Sequence, residues 1–143
     1  MRNDDIGEDD EANVLTTHSG ELQDFLQRVQ QSARLANYEE AHRAAQATLT
    51  VLGQSISGGE ARRLAEWLPA ELREQCAEQS GHATAFDKAN FVDKVGGMLY
   101  TVDAERGENE IRAVLRQVRA SAPHGELDDT ISQLPAELAE MFH

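Results

Sequence analysis

The chain has 143 residues, the length of one domain or of two very small ones, and its acids outnumber its bases 26 to 13 for a formal charge of −13. That excess counts against a nucleic-acid partner, whose binding rests on Lys and Arg displacing counterions from phosphates. The single cysteine, Cys76, allows no intramolecular disulfide and no multi-cysteine zinc site, and no apolar run approaches the roughly 20 residues of a membrane span.

Residues 1–20 hold six acids (Asp4, Asp5, Glu8, Asp9, Asp10 and Glu11) against one base, Arg2, with few large apolar side chains. Such a segment buries too little surface to offset the entropy of ordering it, so it reads as a disordered acidic tail. It is also the opposite of a secretory signal, and a cytoplasmic location is expected.

From there the chain reads as helices. Leu22, Phe25, Leu26 and Val29 recur at helical spacing after Ser19, a candidate N-cap. Asn37 with Glu40 forms a capping box, and the helix it opens has a stripe of Ala41, Ala44, Ala45, Thr48, Leu49 and Leu52. Ser57 and Glu60 form a second box before Ala61, Leu64 and Leu68. Pro69 then suits the first position of a short helix carrying Leu72 and Cys76, because its missing N–H costs nothing there. After a linker over 78–86, Asp87 precedes Phe91, Val92, Val95 and Leu99, and Asp103 precedes Ile111, Val114, Leu115 and Val118. Leu127, Ile131 and Leu134 follow, then Pro135, Leu138, Met141 and Phe142. No segment alternates with period two, so no sheet is expected.

The two runs are copies of one plan. Leu68-Pro69-Ala70-Glu71-Leu72 returns as Leu134-Pro135-Ala136-Glu137-Leu138, and the same offset of 66, held without a gap, gives 14 identities over the 54 pairs from 24/90 to 77/143. Phe25 pairs with Phe91, Val29 with Val95, Leu49 with Leu115 and Glu60 with Glu126. An internal repeat follows, with one unit over 21–77 and a second over 87–143. A lone unit this small buries a low fraction of its surface, so the expectation is an all-α fold in which two four-helix units pack as one domain about a pseudo-twofold. The tandem pattern of Phe–x3–Val, a long Ala/Leu-rich helix, Gly–Glu and the Leu-Pro-Ala-Glu-Leu box resembles the bacterial and archaeal family called domain of unknown function 2267. The resemblance implies a small soluble helical protein and carries over no catalytic residue.

Catalytic readings of the residues are poor. His18, His42, His82, His124 and His143 include no pair at i, i+3 or i, i+4, so no helix face presents paired imidazoles, and no metal or other cofactor is expected. Cys76 corresponds to Phe142 and reads as a small core side chain rather than a nucleophile. Gly96 and Gly97, unfavourable inside a helix, suggest close approach of another helix, or else a kink. The repeated Leu-Pro-Ala-Glu-Leu box reads as a packed corner between short helices.

Two features point to a partner. Trp67 corresponds to Gln133, which suits either a partly exposed interface anchor or a cap on the edge of its own core. Arg62 and Arg63 correspond to Asp128 and Asp129, a full charge reversal at equivalent places, so the basic face of one copy could meet the acidic face of another. The leading reading is a non-enzymatic interaction or scaffold module. The alternatives are an enzyme or small-ligand carrier with a pocket between the units, which a mixed-polar groove over ~300 Å³ would favour, and a helical regulator.

Overall fold

Local capping chemistry sets where the helices begin. In the computed structural model, which describes residues 20–77, 86–101 and 103–143, Asn37 Oδ1 accepts the Glu40 N–H at 2.9 Å and opens α2 (Tyr38–Ser55), after α1 (Gly20–Ala33). Ser57 Oγ accepts the Glu60 N–H at 3.2 Å and opens α3 (Gly58–Ala65), which is followed by α4 (Ala70–Ala77). Asp87 caps α5 (Lys88–Met98) through the Asn90 N–H at 2.8 Å, and Asp103 caps α6 (Ala104–Ser121) through the Glu105 and Arg106 N–H groups. Then come α7 (Asp128–Ser132), α8 (Ala136–Ala139) and a 3-10 turn, Glu140–Phe142. The fold is all-α, with no strand among the described residues. The expected tail, the Ser19 cap and most of the linker lie outside those residues, although Gly20, assigned to the tail, opens α1, and Phe86, assigned to the linker, packs on the core.

The offset of 66 reappears in the backbone. α2 and α6 begin and end 66 residues apart and have 18 residues each. α1 and α5 both end in a turn that bends the chain into left-handed backbone, at Arg34 (φ 57°) and Tyr100 (φ 56°). In each the two closing hydrogen bonds are the same: Leu35 N–H to Gln30 O and Arg34 N–H to Gln31 O, then Thr101 N–H to Gly96 O and Tyr100 N–H to Gly97 O. The halves part at α7. Ser57, the cap of α3, has Pro123 as its counterpart, and Gly125 adopts a φ of 85°, so the chain turns through 124–127 and α7 starts four residues later than α3 would place it.

Packing relates the halves by exchange. α1 rests on α6 as α5 rests on α2, and α2 packs against α6, so swapping the halves leaves this set of contacts unchanged. A twofold axis brings equivalent positions together. Glu40 and Arg106 are such a pair, 66 apart, and their side chains meet at 3.7 Å. Beyond the other ends of α2 and α6, Glu60 accepts a hydrogen bond from Thr130, and Arg63 pairs with Glu126 at 3.8 Å, so α3 and α7 also meet across the two halves.

The core is continuous across both halves, with Phe25, Phe91, Phe142, Leu49, Leu52, Ile111 and Leu115 fully buried. The amphipathic stripe underdescribes α2, where Ala47, Val51, Gly53 and Ser55 are buried besides the expected positions. The reason is tertiary: α1, α4, α5 and α6 surround it, and a helix covered on several sides loses its solvated face. Leu68 and Leu134 are both buried, as the corner reading of the repeated box requires. Pro69, expected at the first helical position, stands one residue earlier, directly before Ala70 of α4, and Pro135 does the same before Ala136 of α8, where its ψ of 148° turns the carbonyl out of the helical direction. The glycine pair also differs from expectation. A Cβ on Gly96 would meet the Thr101 carbonyl at 3.4 Å in its own closing turn rather than another helix, and a Cβ on Gly97 would meet nothing within 4 Å.

Candidate binding groove

A concavity of about 860 Å³ lies within the second half, between α5, α6 and α8. Its apolar lining is small: Ala89 and Val92 from α5, Ala104 from the start of α6 and Ala136 from α8. These residues leave space because their side chains are short where three helices converge. The walls carry five carboxylates, Asp93, Glu105, Glu108, Glu137 and Glu140, against one lysine, Lys88.

Two of those carboxylates are locked in place. Arg112 donates to Glu108 and to Glu140, both at 3.0 Å, and Lys88 lies 3.1 Å from Glu108. Partial burial pushes the Glu108 carboxyl up, but the hydrogen bonds from Lys88 and Arg112 outweigh it and hold Glu108 below the usual carboxylate range. The Arg112 hydrogen bond likewise lowers Glu140. Asp93, Glu105 and Glu137 have no ion-pair partner among the described residues. The groove therefore joins a paired set, Lys88, Arg112, Glu108 and Glu140, to three carboxylates unpaired among the described residues, around short apolar side chains.

The residues singled out by sequence lie elsewhere. Trp67 is half-buried, packs against the core, and borders a crevice of about 340 Å³ between α1 and the end of α6, with Glu21, Asp24, Arg28 and Gln117 around it. Arg62 and Arg63 are exposed on α3, and Arg63 pairs inside the chain with Glu60 at 3.9 Å and Glu126 at 3.8 Å. Asp128 and Asp129 are exposed on α7, where Asp128 borders a crevice that also holds Arg116 and Arg119. Arg63 thus reaches across the halves to Glu126, while no ion pair joins Arg62 or Arg63 to Asp128 or Asp129 among the described residues.

Two further ionisable side chains are buried. Cys76 is fully buried with Sγ 3.8 Å from the Ala61 carbonyl, and burial pushes its thiol up to about 12. Glu110, on α6 at the contact with α2, is also buried; desolvation raises its carboxyl, and Arg106 at 3.3 Å only partly compensates. His42 tilts against Tyr38, and His143 Nδ1 lies 2.8 Å from Arg119 Nη1.

The groove was not anticipated from the sequence, yet a signal for it existed. Aligning the halves sets Ala104 opposite Tyr38 and Lys88 opposite Leu22, a loss of apolar bulk concentrated at one place.

No curated protein matches the chain. The family described as "Uncharacterized conserved protein (DUF2267)" matches residues 22–141, from the first core leucine of α1 to the 3-10 turn, the span that forms the repeated helical plan. On that match the chain belongs to the DUF2267 family.

Proposed function

We propose that this protein is a non-enzymatic interaction module and that the α5/α6/α8 groove is its binding face. The observation that carries the reading is the groove itself, an open depression of about 860 Å³ lined by short apolar side chains and five carboxylates. Its chemistry favours display of charge over proton transfer, because a general acid needs a pKa near the working pH and Glu108 and Glu140 are pulled the other way. The test compares wild type with Ala104→Tyr, which fills the groove with the residue its counterpart position carries. Immobilised wild type should capture specific proteins from native lysate, identified by mass spectrometry, and the variant should lose them. Equal capture by both chains, or capture by neither, overturns the reading.

A small-ligand reading has one observation in its favour: the crevice at Trp67 lies between the two halves, is lined by mixed polar groups, and reaches about 340 Å³. A metabolite screen by thermal shift, with Trp67→Gln as control, separates this from the interaction reading. Self-association through Arg62, Arg63, Asp128 and Asp129 remains a third proposal. Sedimentation of wild type and Arg62→Asp/Arg63→Asp at low and high salt tests it, and a monomer throughout overturns it.

A further inference from the structure

The groove has a filled counterpart inside the same molecule. At the offset of 66, its Ala104 is Tyr38, its Lys88 is Leu22 and its Val92 is Leu26. Leu22 and Leu26 are fully buried, and Tyr38 packs against the core with its ring centroid 6.4 Å from that of His42. Burial, and then the charge of Glu71, raise the Tyr38 hydroxyl above its ordinary value. His42 and Glu71 correspond to Glu108 and Glu137, two walls of the groove. The first half fills with its own tyrosine the place that the second half leaves open.

Charge defines the rest of the occupant. Asp93, Glu105 and Glu137 surround the opening without ion-pair partners among the described residues, and the whole chain carries −13. An acidic or neutral segment would meet repulsion or uncompensated desolvation there, whereas Lys and Arg would pair. We infer that the groove takes a segment of another protein that carries one tyrosine-sized side chain between basic residues, the side chain seating over Ala104 where Tyr38 sits in the first half. This rests on the interaction reading above and names the chemistry of its partner. A second copy is the rival occupant. The exposed aromatic it would offer, Tyr100, shares a crevice with Arg43 and Arg106, but Arg106 is engaged by Glu40 and Glu110 within the chain, and two copies each bring −13 to the contact.

The experiment uses the full chain and three fluorescein-labelled peptides read by anisotropy: a Lys/Ala peptide with one central tyrosine, the same peptide with that tyrosine changed to alanine, and a Glu/Ala peptide keeping the tyrosine. The Lys/Tyr peptide should bind, the tyrosine-to-alanine peptide should bind about tenfold more weakly, and the Glu/Tyr peptide should not bind. Ala104→Tyr should weaken the Lys/Tyr peptide about tenfold while leaving circular dichroism unchanged, since the fold already accepts tyrosine at the start of α2. Glu105→Gln/Glu137→Gln, two exposed changes that leave the groove open, should weaken it as well and flatten its salt dependence. Equal binding to wild type and Ala104→Tyr overturns the inference, because it reports only attraction to an acidic surface. Failure of every peptide, with lysate capture still lost in Ala104→Tyr, overturns this partner chemistry and leaves the interaction reading standing. Self-association that Ala104→Tyr reverses makes the occupant a second copy and overturns the inference too.

Discussion

Thr48 offers a sharp test of the core. Its side chain is fully buried on α2, and its Oγ1 has no hydrogen-bond partner among the described residues. Sixty-six residues on, the equivalent place on α6 is Val114, also fully buried. Valine has nearly the shape of threonine and the same branching at Cβ, so Thr48→Val changes neither packing volume nor helix propensity by much. It removes a hydroxyl whose unsatisfied burial costs about 1–3 kcal/mol. With part of that recovered on relaxation, the variant should gain about 1–2 kcal/mol. For about 120 folded residues the unfolding entropy is roughly 0.25 kcal/mol per kelvin, so the midpoint should rise by roughly 4–8 °C. Urea denaturation followed by circular dichroism should show a higher midpoint at unchanged slope. A variant less stable than wild type would refute the reasoning, since it would mean that the hydroxyl makes a bond worth more than its burial costs.

Four further outcomes follow from the same structure. Leu68→Ala should cost about 3–5 kcal/mol, because α4 is held against both α2 and α3 and the cavity cannot collapse, while Leu134→Ala, next to the short α8, should cost about 2–3 kcal/mol. Denaturant melts check this, and a neutral result at either position would show that the box faces solvent. Glu108 and Glu110 should have opposite pH signatures: Glu108, lowered by its partners, stabilises the fold at neutral pH and loses that contribution as pH falls through its folded pKa. Glu110, raised by burial, contributes most at low pH and loses it as pH rises through its folded pKa, so relative to wild type Glu110→Gln should improve, and Glu108→Gln worsen, from pH 3 to pH 7 in parallel melts. Glu40→Arg should cost about 0.5–1 kcal/mol by setting like charges together, whereas Arg106→Glu should cost more because it also takes the partner from buried Glu110, so the double exchange recovers only the Glu40 share; strict additivity in the cycle would separate Glu40 from Arg106 in solution. Tyr100→Gly should stabilise the chain by about 1 kcal/mol, because Tyr100 holds a φ of 56° with its side chain 96% exposed, and a lowered melting temperature would assign that side chain a packing role.

Much of the fold is legible in the chain because its determinants are local. The Asn37, Ser57, Asp87 and Asp103 caps each act within three residues, so helix starts can be read without tertiary knowledge. The offset of 66 carries the two long helices to identical lengths for the same reason. It misleads at α7, where Pro123 stands in the place of a cap, and at α8, which has four residues where α4 has eight.

What the chain determines by itself is therefore the order, caps and duplication of its helices, all set by hydrogen bonds and apolar spacing between near neighbours in sequence. What only the tertiary structure decides is how the halves meet. Nothing local says that Glu40 faces Arg106, that Arg63 reaches Glu126, or that α2 is covered on several sides, because those contacts arise from residues far apart in sequence. The groove belongs to the same class. Small side chains at Ala89, Ala104 and Ala136 are unremarkable one by one, and they become a site only because three helices converge on them without the tyrosine that closes the equivalent place in the first half.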